Sequence, residues 1–226
     1  MKRFYNEATV GEGNRILLDG RPVKTPARAD LALPNARLAE AIAEEWNAQD
    51  ESIDPRAMPL TGLANAAIDR VAPDPAAFAA GLAVYGESDL LCYRAEGPGP
   101  LASRQTALWD PILAWAQQRY DAVFELAHGV IHMPQPAETV ARLGAAVAAR
   151  DSFALAGLAP LVTVSGSLLI ALALAEGAIG LETAWAAATL DEQWQAEHWG
   201  EDEEGAAALT ARRRDFEAAA RFLALL

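Results

Sequence analysis

The sequence predicts an α+β protein: a small N-terminal antiparallel β-sheet domain with a helix, followed by a larger all-helical C-terminal domain. Three observations predict it. A two-residue hairpin signal, Asp19-Gly20, lies between short runs near the N-terminus. The hydrophobic period becomes helical after Pro34, and helical spacing then dominates to the end of the chain. Hydrophobic residues make up 52% of the 226 and charged residues 22%, the balance of a globular chain with a sizeable core.

Arg3 to Val10 is expected as a first strand, closed by the turn cluster Gly11-Glu12-Gly13-Asn14. Arg15 to Leu18 and Arg21 to Thr25 flank Asp19-Gly20, because a tight hairpin turn needs two residues that tolerate positive φ. Leu31-Ala32-Leu33 adds a short strand before Pro34. Leu38, Ala39, Ile42, Ala43 and Trp46 then share the buried stripe of a helix, with Glu40, Glu44 and Glu45 off it. Pro55 and Pro59 break the chain, and Leu60 to Arg70 is expected as a second helix. Pro73-Asp74-Pro75 marks a boundary between a domain of residues 1–72 and one of residues 73–226.

Beyond that boundary Asp74-Pro75 supplies a cap and first-turn proline for a helix over Ala76 to Tyr85. Leu90-Leu91-Cys92-Tyr93-Arg94 fits either an isolated strand or an extended link. Trp109, Ile112, Leu113, Ala116 and Tyr120 form one helix face, and Val123 to Ile131 fits no single element. Further helices are expected over Ala137 to Arg150, Phe153 to Ala175, Leu181 to Trp199, and Glu201 to the C-terminus. The last opens on Glu201-Asp202-Glu203-Glu204 and carries Arg212-Arg213-Arg214 later, which complements the helix dipole. Leu209, Phe216, Ala220 and Leu223 supply its buried stripe. Ser152 to Ala175 holds no charge, yet Gly, Pro, Ser and Thr interrupt it and basic anchors are missing, so a buried central helix is expected and not a membrane span. No internal repeat is visible.

A formal net charge of −13 excludes broad classes of partner. Nucleic acid is not expected, since a phosphate backbone needs clustered Lys and Arg, and neither is insertion into an anionic membrane. A protein with a basic or mixed surface remains, toward which acidity steers association. The single cysteine, Cys92, forms no intramolecular disulfide and reads as a small buried hydrophobe. The basic start Met1-Lys2-Arg3 is followed by no apolar run, so a signal peptide is not expected.

The chain is poor in catalytic motifs. Gly11-Glu12-Gly13 lacks the third glycine of a dinucleotide loop, and no glycine-lysine phosphate loop exists, so no nucleotide is expected. His128 and His132 lack the intervening Glu of a zinc-protease helix, and the Ser165-Gly166-Ser167 run is no nucleophile elbow. No metal, no cofactor and no catalytic residue is assigned, although paired carboxylates leave an acid–base site open. The C-terminal third holds the most unusual pattern. Read as one helix, Leu181 to Trp199 places Leu181, Trp185, Ala188, Glu192, Gln195 and Trp199 on one stripe and Thr183, Ala187, Leu190 and Trp194 opposite. One stripe is then a partner-binding face with Glu192 between Trp185 and Trp199, or the helix is buried on two sides and Glu192 pairs locally.

Several blocks resemble a known family in order along nearly the whole chain. Leu18-Asp19-Gly20-Arg21-Pro22-Val23-Lys24-Thr25-Pro26 resembles the N-terminal motif of the F1-ATPase assembly chaperones that attend the α subunit. So do Ala41-Ile42-Ala43-Glu44-Glu45-Trp46-Asn47-Ala48-Gln49, Met58-Pro59-Leu60-Thr61 and Leu63-Ala64-Asn65. Asp89-Leu90-Leu91-Cys92-Tyr93-Arg94 and Trp109-Asp110-Pro111-Ile112-Leu113-Ala114-Trp115 look like two more blocks, and Leu190-Asp191-Glu192-Gln193-Trp194-Gln195 with Trp199-Gly200 like the C-terminal one. The resemblance implies binding of unassembled F1-ATPase α subunit, without nucleotide, over the surface that later meets β. It also implies a partner-binding acidic residue in the C-terminal block, best matched by Glu192 with Asp191 beside it. Trp185, Gln195 and Trp199 complete the expected contact set. Without a presequence the chain looks like a bacterial, cytoplasmic member, or a trimmed form from the mitochondrial matrix. A carboxylate-dependent hydrolase using Glu192 and Asp191, and a structural subunit of a stable complex, are the alternatives.

Overall fold

The computed structural model describes residues 1–96, 99–129, 132–200 and 203–226. Three short strands, β1 (Ala8–Val10), β2 (Ile16–Leu18) and β3 (Arg21–Pro22), form an antiparallel sheet in the order β1-β2-β3. Asp19 and Gly20 turn the β2–β3 hairpin at φ 46° and 80°, the positive pair that the sequence signal requires. The first strand is shorter than expected because residues before Ala8 find other partners. Lys2 bridges Ser52, the Arg3 amide donates to the Glu51 carbonyl at 2.9 Å, and the Ile53 amide donates to the Met1 carbonyl at 2.7 Å. The Asp19 carboxylate in turn accepts from the amides of Asn6 and Glu7. Leu31 to Leu33 folds back along the hairpin, with only Ala32 bridging Arg15.

Helix α1 (Ala36–Asn47) starts at Asn35, whose side chain accepts from the Leu38 amide. Its buried face holds Leu38, Ala39, Ile42 and Ala43 as expected, but two neighbours exchange roles. Trp46 is half-buried, packed edge-on to Tyr5 and lining the surface. Glu45 is buried, because its carboxylate accepts from the amides of Leu60 and Thr61 and from the Thr61 hydroxyl, each at 2.8 Å. It therefore caps the next helix, α2 (Pro59–Ala66), where unpaired amides favour an anion. A π turn, Ala67–Val71, extends α2, and Asp74 caps α3 (Pro75–Ala83) through the Ala77 amide. Strand β4 (Tyr93–Arg94) follows and α4 (Pro100–Tyr120) runs on, burying Trp109, Ile112, Leu113, Ala116 and Tyr120. Strand β5 (Ala127–His128) pairs with β4 in parallel, so the Leu90–Arg94 segment is partly strand. Val130 and Ile131 of the ambiguous segment lie outside the described residues.

The remaining helices are α5 (Ala137–Ala148), α6 (Ser152–Ser165), α7 (Leu168–Ala175), α8 (Leu181–Ala188), α9 (Leu190–Trp199) and α10 (Glu203–Ala224). Two expected helices are therefore each divided. Gly166 at φ 67° ends α6 in the left-handed conformation, and the Ser167 hydroxyl accepts from the Ile170 amide to start α7. The buried Asp89 holds this break, accepting from the Ser167 hydroxyl at 2.7 Å and from the Leu169 and Leu91 amides. The second division falls at Thr189, with φ −115° and ψ 10° between α8 and α9. Glu201 and Asp202, the expected start of the last helix, lie outside the described residues.

Uncharged α7 is the centre of the main core, buried on every side from Leu168 to Ala173. Among the described residues no helix is long and apolar enough to cross a membrane. A second core joins Ile16, Leu31, Leu38, Ile42 and Leu60 of the N-terminal half to Phe222 of α10, which stacks on Phe153. Gly157 of α6 lies where α10 crosses: a Cβ there would stand 2.7 Å from Leu223, so the close approach requires glycine. The side-chain amide of Asn35 donates to the carbonyls of Leu225 and Leu226, tying the start of α1 to the end of α10.

Candidate partner-binding surface

The break at Thr189 redirects the residues expected on one stripe. Thr189 is buried and donates to the Trp185 carbonyl at 2.8 Å, while Gln193 donates to its hydroxyl. Because α8 and α9 are separate, Trp185 and Trp199 do not share a face, and the expected arrangement of Glu192 between them is corrected. Trp185 is 5% exposed, packed against Phe216 of α10 with ring centroids 5.6 Å apart. Trp199 is 78% exposed at the far end of α9.

The other three expected residues lie on α9 but have different settings. Glu192 is exposed and accepts from Arg212 of α10 at 2.7 Å, and the same guanidinium donates to the Val164 carbonyl at 3.0 Å. Asp191 faces α4, where Gln105, itself 1% exposed, donates to it at 2.8 Å. The other end of the Gln105 amide accepts from the Ala95 backbone. The two adjacent carboxylates are thus drawn to different helices, Asp191 to α4 and Glu192 to α10. Gln195 is exposed. It lines, with Glu192, Trp199, Ala208, Leu209 and Arg212, a groove of about 420 Å³ between α9 and α10. Ala196, Ala208 and Leu209 supply its apolar lining beside the Glu192–Arg212 ion pair and the exposed Trp199 ring.

A second cluster stiffens the outer side of α9. Arg104 donates to both carboxylate oxygens of Glu197, at 2.9 and 2.8 Å, and its guanidinium lies 4.7 Å over the Trp194 ring. Trp194 in turn stacks on His198 at 4.1 Å between centroids. These partners, Arg104, Gln105 and Arg212, were not assigned to the surface from sequence. The only signal for Arg212 was the Arg212-Arg213-Arg214 run, which also answers the dipole of its own helix. The buried thiol of Cys92 is pushed up to about 12 by burial and by the neighbouring Asp89, so it carries no thiolate chemistry. Among the described residues no group of three or more potential ligands is placed to hold a metal ion, and His128 and His132 form no such site.

A whole-chain likeness identifies the class: this fold is that of a chaperone. Atp12 from Paracoccus denitrificans is 45% identical and superposes with a TM-score of 0.94, over 99% of this chain and 97% of that one. An aspartate-to-lysine variant of the Paracoccus protein matches at 44% and 0.94, and a protein from Agrobacterium tumefaciens at 44% and 0.93, over 99% of this chain and 85% of that one. The mitochondrial protein atp12 of Schizosaccharomyces pombe is 26% identical over 214 residues, 88% of this chain and 74% of its own length. The model of the ATP12 chaperone protein family matches residues 2–117. The chain belongs to the ATP12 chaperone family, the family of F1-ATPase assembly chaperones that its sequence motifs resemble.

Proposed function

We propose that the chain binds unassembled F1-ATPase α subunit through the groove between α9 and α10, covering the surface that β later occupies. The observation that carries this reading is Trp199, a large aromatic side chain 78% exposed in a groove of mixed apolar and charged lining. A surface tryptophan beside a charged pair is the composition of an interface anchor, and a free subunit with an uncovered apolar face aggregates. The Glu192–Arg212 pair adds exchangeable charge. Exposed pairs of this kind contribute about 0–1 kcal/mol, so a partner's charged group displaces one member at little cost. Asp191 acts by fixing α9 against α4, while Glu192, Gln195 and Trp199 make the contacts. High identity to bacterial proteins supports the bacterial cytoplasm as the compartment.

Co-expression of tagged protein with F1-ATPase α subunit tests this. The tagged chain is expected to retain α and to raise its soluble fraction. Glu192→Lys and Trp199→Ser are expected to lower retention while leaving the melting temperature nearly unchanged. If α is neither retained nor made more soluble, the reading fails. Recovery of the chain in finished ATPase would instead identify a structural subunit.

A further inference from the structure

The N-terminal sheet carries a second groove, far in chemistry from the one between α9 and α10. Its volume is about 590 Å³, and most of the β2–β3 hairpin lines it. Tyr5, Val23 and Trp46 give it an apolar lining. Met1 and Phe4 stand beside it, 77% and 66% exposed, two of the three most exposed large apolar side chains among the described residues.

Phe4 is held outward by its backbone and is no frayed end. The amide of Arg3 is bonded to Glu51 and the carbonyl of Met1 to Ile53. The guanidinium of Arg3 donates to the carbonyls of Tyr5 and Asn6. Tyr5 points inward, donating to the Trp46 carbonyl at 2.6 Å. The Phe4 ring packs edge-on against Tyr5, with ring centroids 5.5 Å apart, so the exposed Phe4 stands over the same groove that Tyr5 lines.

The charge around this groove is opposite to that of the molecule. Residues 1–35 hold six of the 18 Lys and Arg but only four of the 31 Asp and Glu. At the groove itself Asp19 is occupied by the amides of Asn6 and Glu7, and Lys24 pairs with Asp30 at 2.5 Å. The side chain of Arg21, exposed beside the turn, makes no ion pair or hydrogen bond to the described residues, while its backbone pairs with Leu18 in the hairpin. Pro22 offers no amide on the edge strand β3, which blocks recognition by added strand pairing and leaves it to side chains.

We propose that this groove docks an extended polypeptide segment carrying apolar side chains flanked by carboxylates. The apolar side chains enter between Phe4 and Trp46, and a carboxylate meets Arg21. Charge complementarity selects this occupant, since a basic rim on an otherwise acidic protein repels basic segments and gains from acidic ones. The inference stands apart from the reading of α9 and α10.

Fluorescence anisotropy on the full chain tests it, with a labelled peptide of alternating Leu and Asp as probe. Binding is expected to be about tenfold tighter than for the Leu/Lys or Ser/Asp counterparts, and to weaken about tenfold in Arg21→Glu and in Phe4→Ser. Added salt is expected to weaken it too. Glu192→Lys is expected to bind the peptide normally, which separates this site from the α9–α10 surface. Equal binding of the Leu/Lys peptide, or binding unchanged in both groove variants, overturns the proposal. So does self-association of the wild-type chain that Arg21→Glu abolishes, which would make the occupant a second copy. Both substituted side chains are exposed; if Phe4→Ser nonetheless melts early, Arg21→Glu decides the question.

Discussion

Asp89 is the residue whose chemistry is most altered by the fold. Burial pushes its pKa up to about 6, while hydrogen bonds from the Leu169 amide, the Ser167 hydroxyl and the Leu91 amide pull it down. The folded-state value lies above the ordinary 3.8, so the folded chain holds this proton more tightly than the unfolded one. Its contribution to stability is therefore full below the unfolded value and lost as pH rises through about 6. Asp89→Asn is expected to cost about 1–3 kcal/mol through lost acceptors, and the gap from wild type should widen as urea unfolding is repeated from pH 7 down to pH 4. A gap that narrows would mean the three donors keep the carboxylate ionised. Trp46 and Glu45 show the limits of sequence at this scale. Helical spacing places Trp46 on the buried stripe and Glu45 off it, which assigns the tryptophan to the core. The capping of α2 reverses that assignment, since two backbone amides and a hydroxyl need an acceptor at the point where Glu45 sits. Nothing within α1 itself signals that need.

At the scale of elements, the two divided helices differ in how far the sequence announces them. Gly166-Ser167 is a left-handed terminator followed by a cap, a pair whose individual signals are visible. The apolar run through it suggests continuity all the same. Thr189 has neither Gly nor Pro beside it, and the helical period passes through it unbroken; its turn is stabilised by tertiary contacts of α8 and α9 with α4. Hence Trp199 and Glu192 are legible as a surface candidate from composition, but the loss of Trp185 to the core is not. Trp185→Ala is expected to cost about 3–5 kcal/mol as a buried aromatic deletion, seen as an early melt. The Gln105–Asp191 bond sets the seat of α9 on α4. Gln105→Leu is expected to raise amide hydrogen exchange in residues 190–199 while exchange in α7 stays slow. Equal change in both would mean that the bond supports the whole core.

Over the whole molecule, Phe222 is shared between the sheet-side core and the helical bundle, fully buried and stacked on Phe153. Phe222→Ala is expected to cost about 3–5 kcal/mol and to unfold both halves in one transition, so circular dichroism and Trp fluorescence should give coincident urea midpoints. Separate midpoints would show that residues 1–72 and 73–226 are independent units. The α+β class was legible because hairpin chemistry and helical period are local properties. The return of α10 to the sheet was not, because it pairs positions some 190 apart in sequence. That closure has a consequence for synthesis. A growing chain completes residues 16–64 long before position 222 leaves the ribosome, and no nearer segment fills the place of Phe222 and Leu225. Until translation is nearly over, the nascent sheet and first helices carry an uncovered apolar face. A member of a chaperone family thus has, during its own making, the same need for shelter that it is proposed to meet for its client.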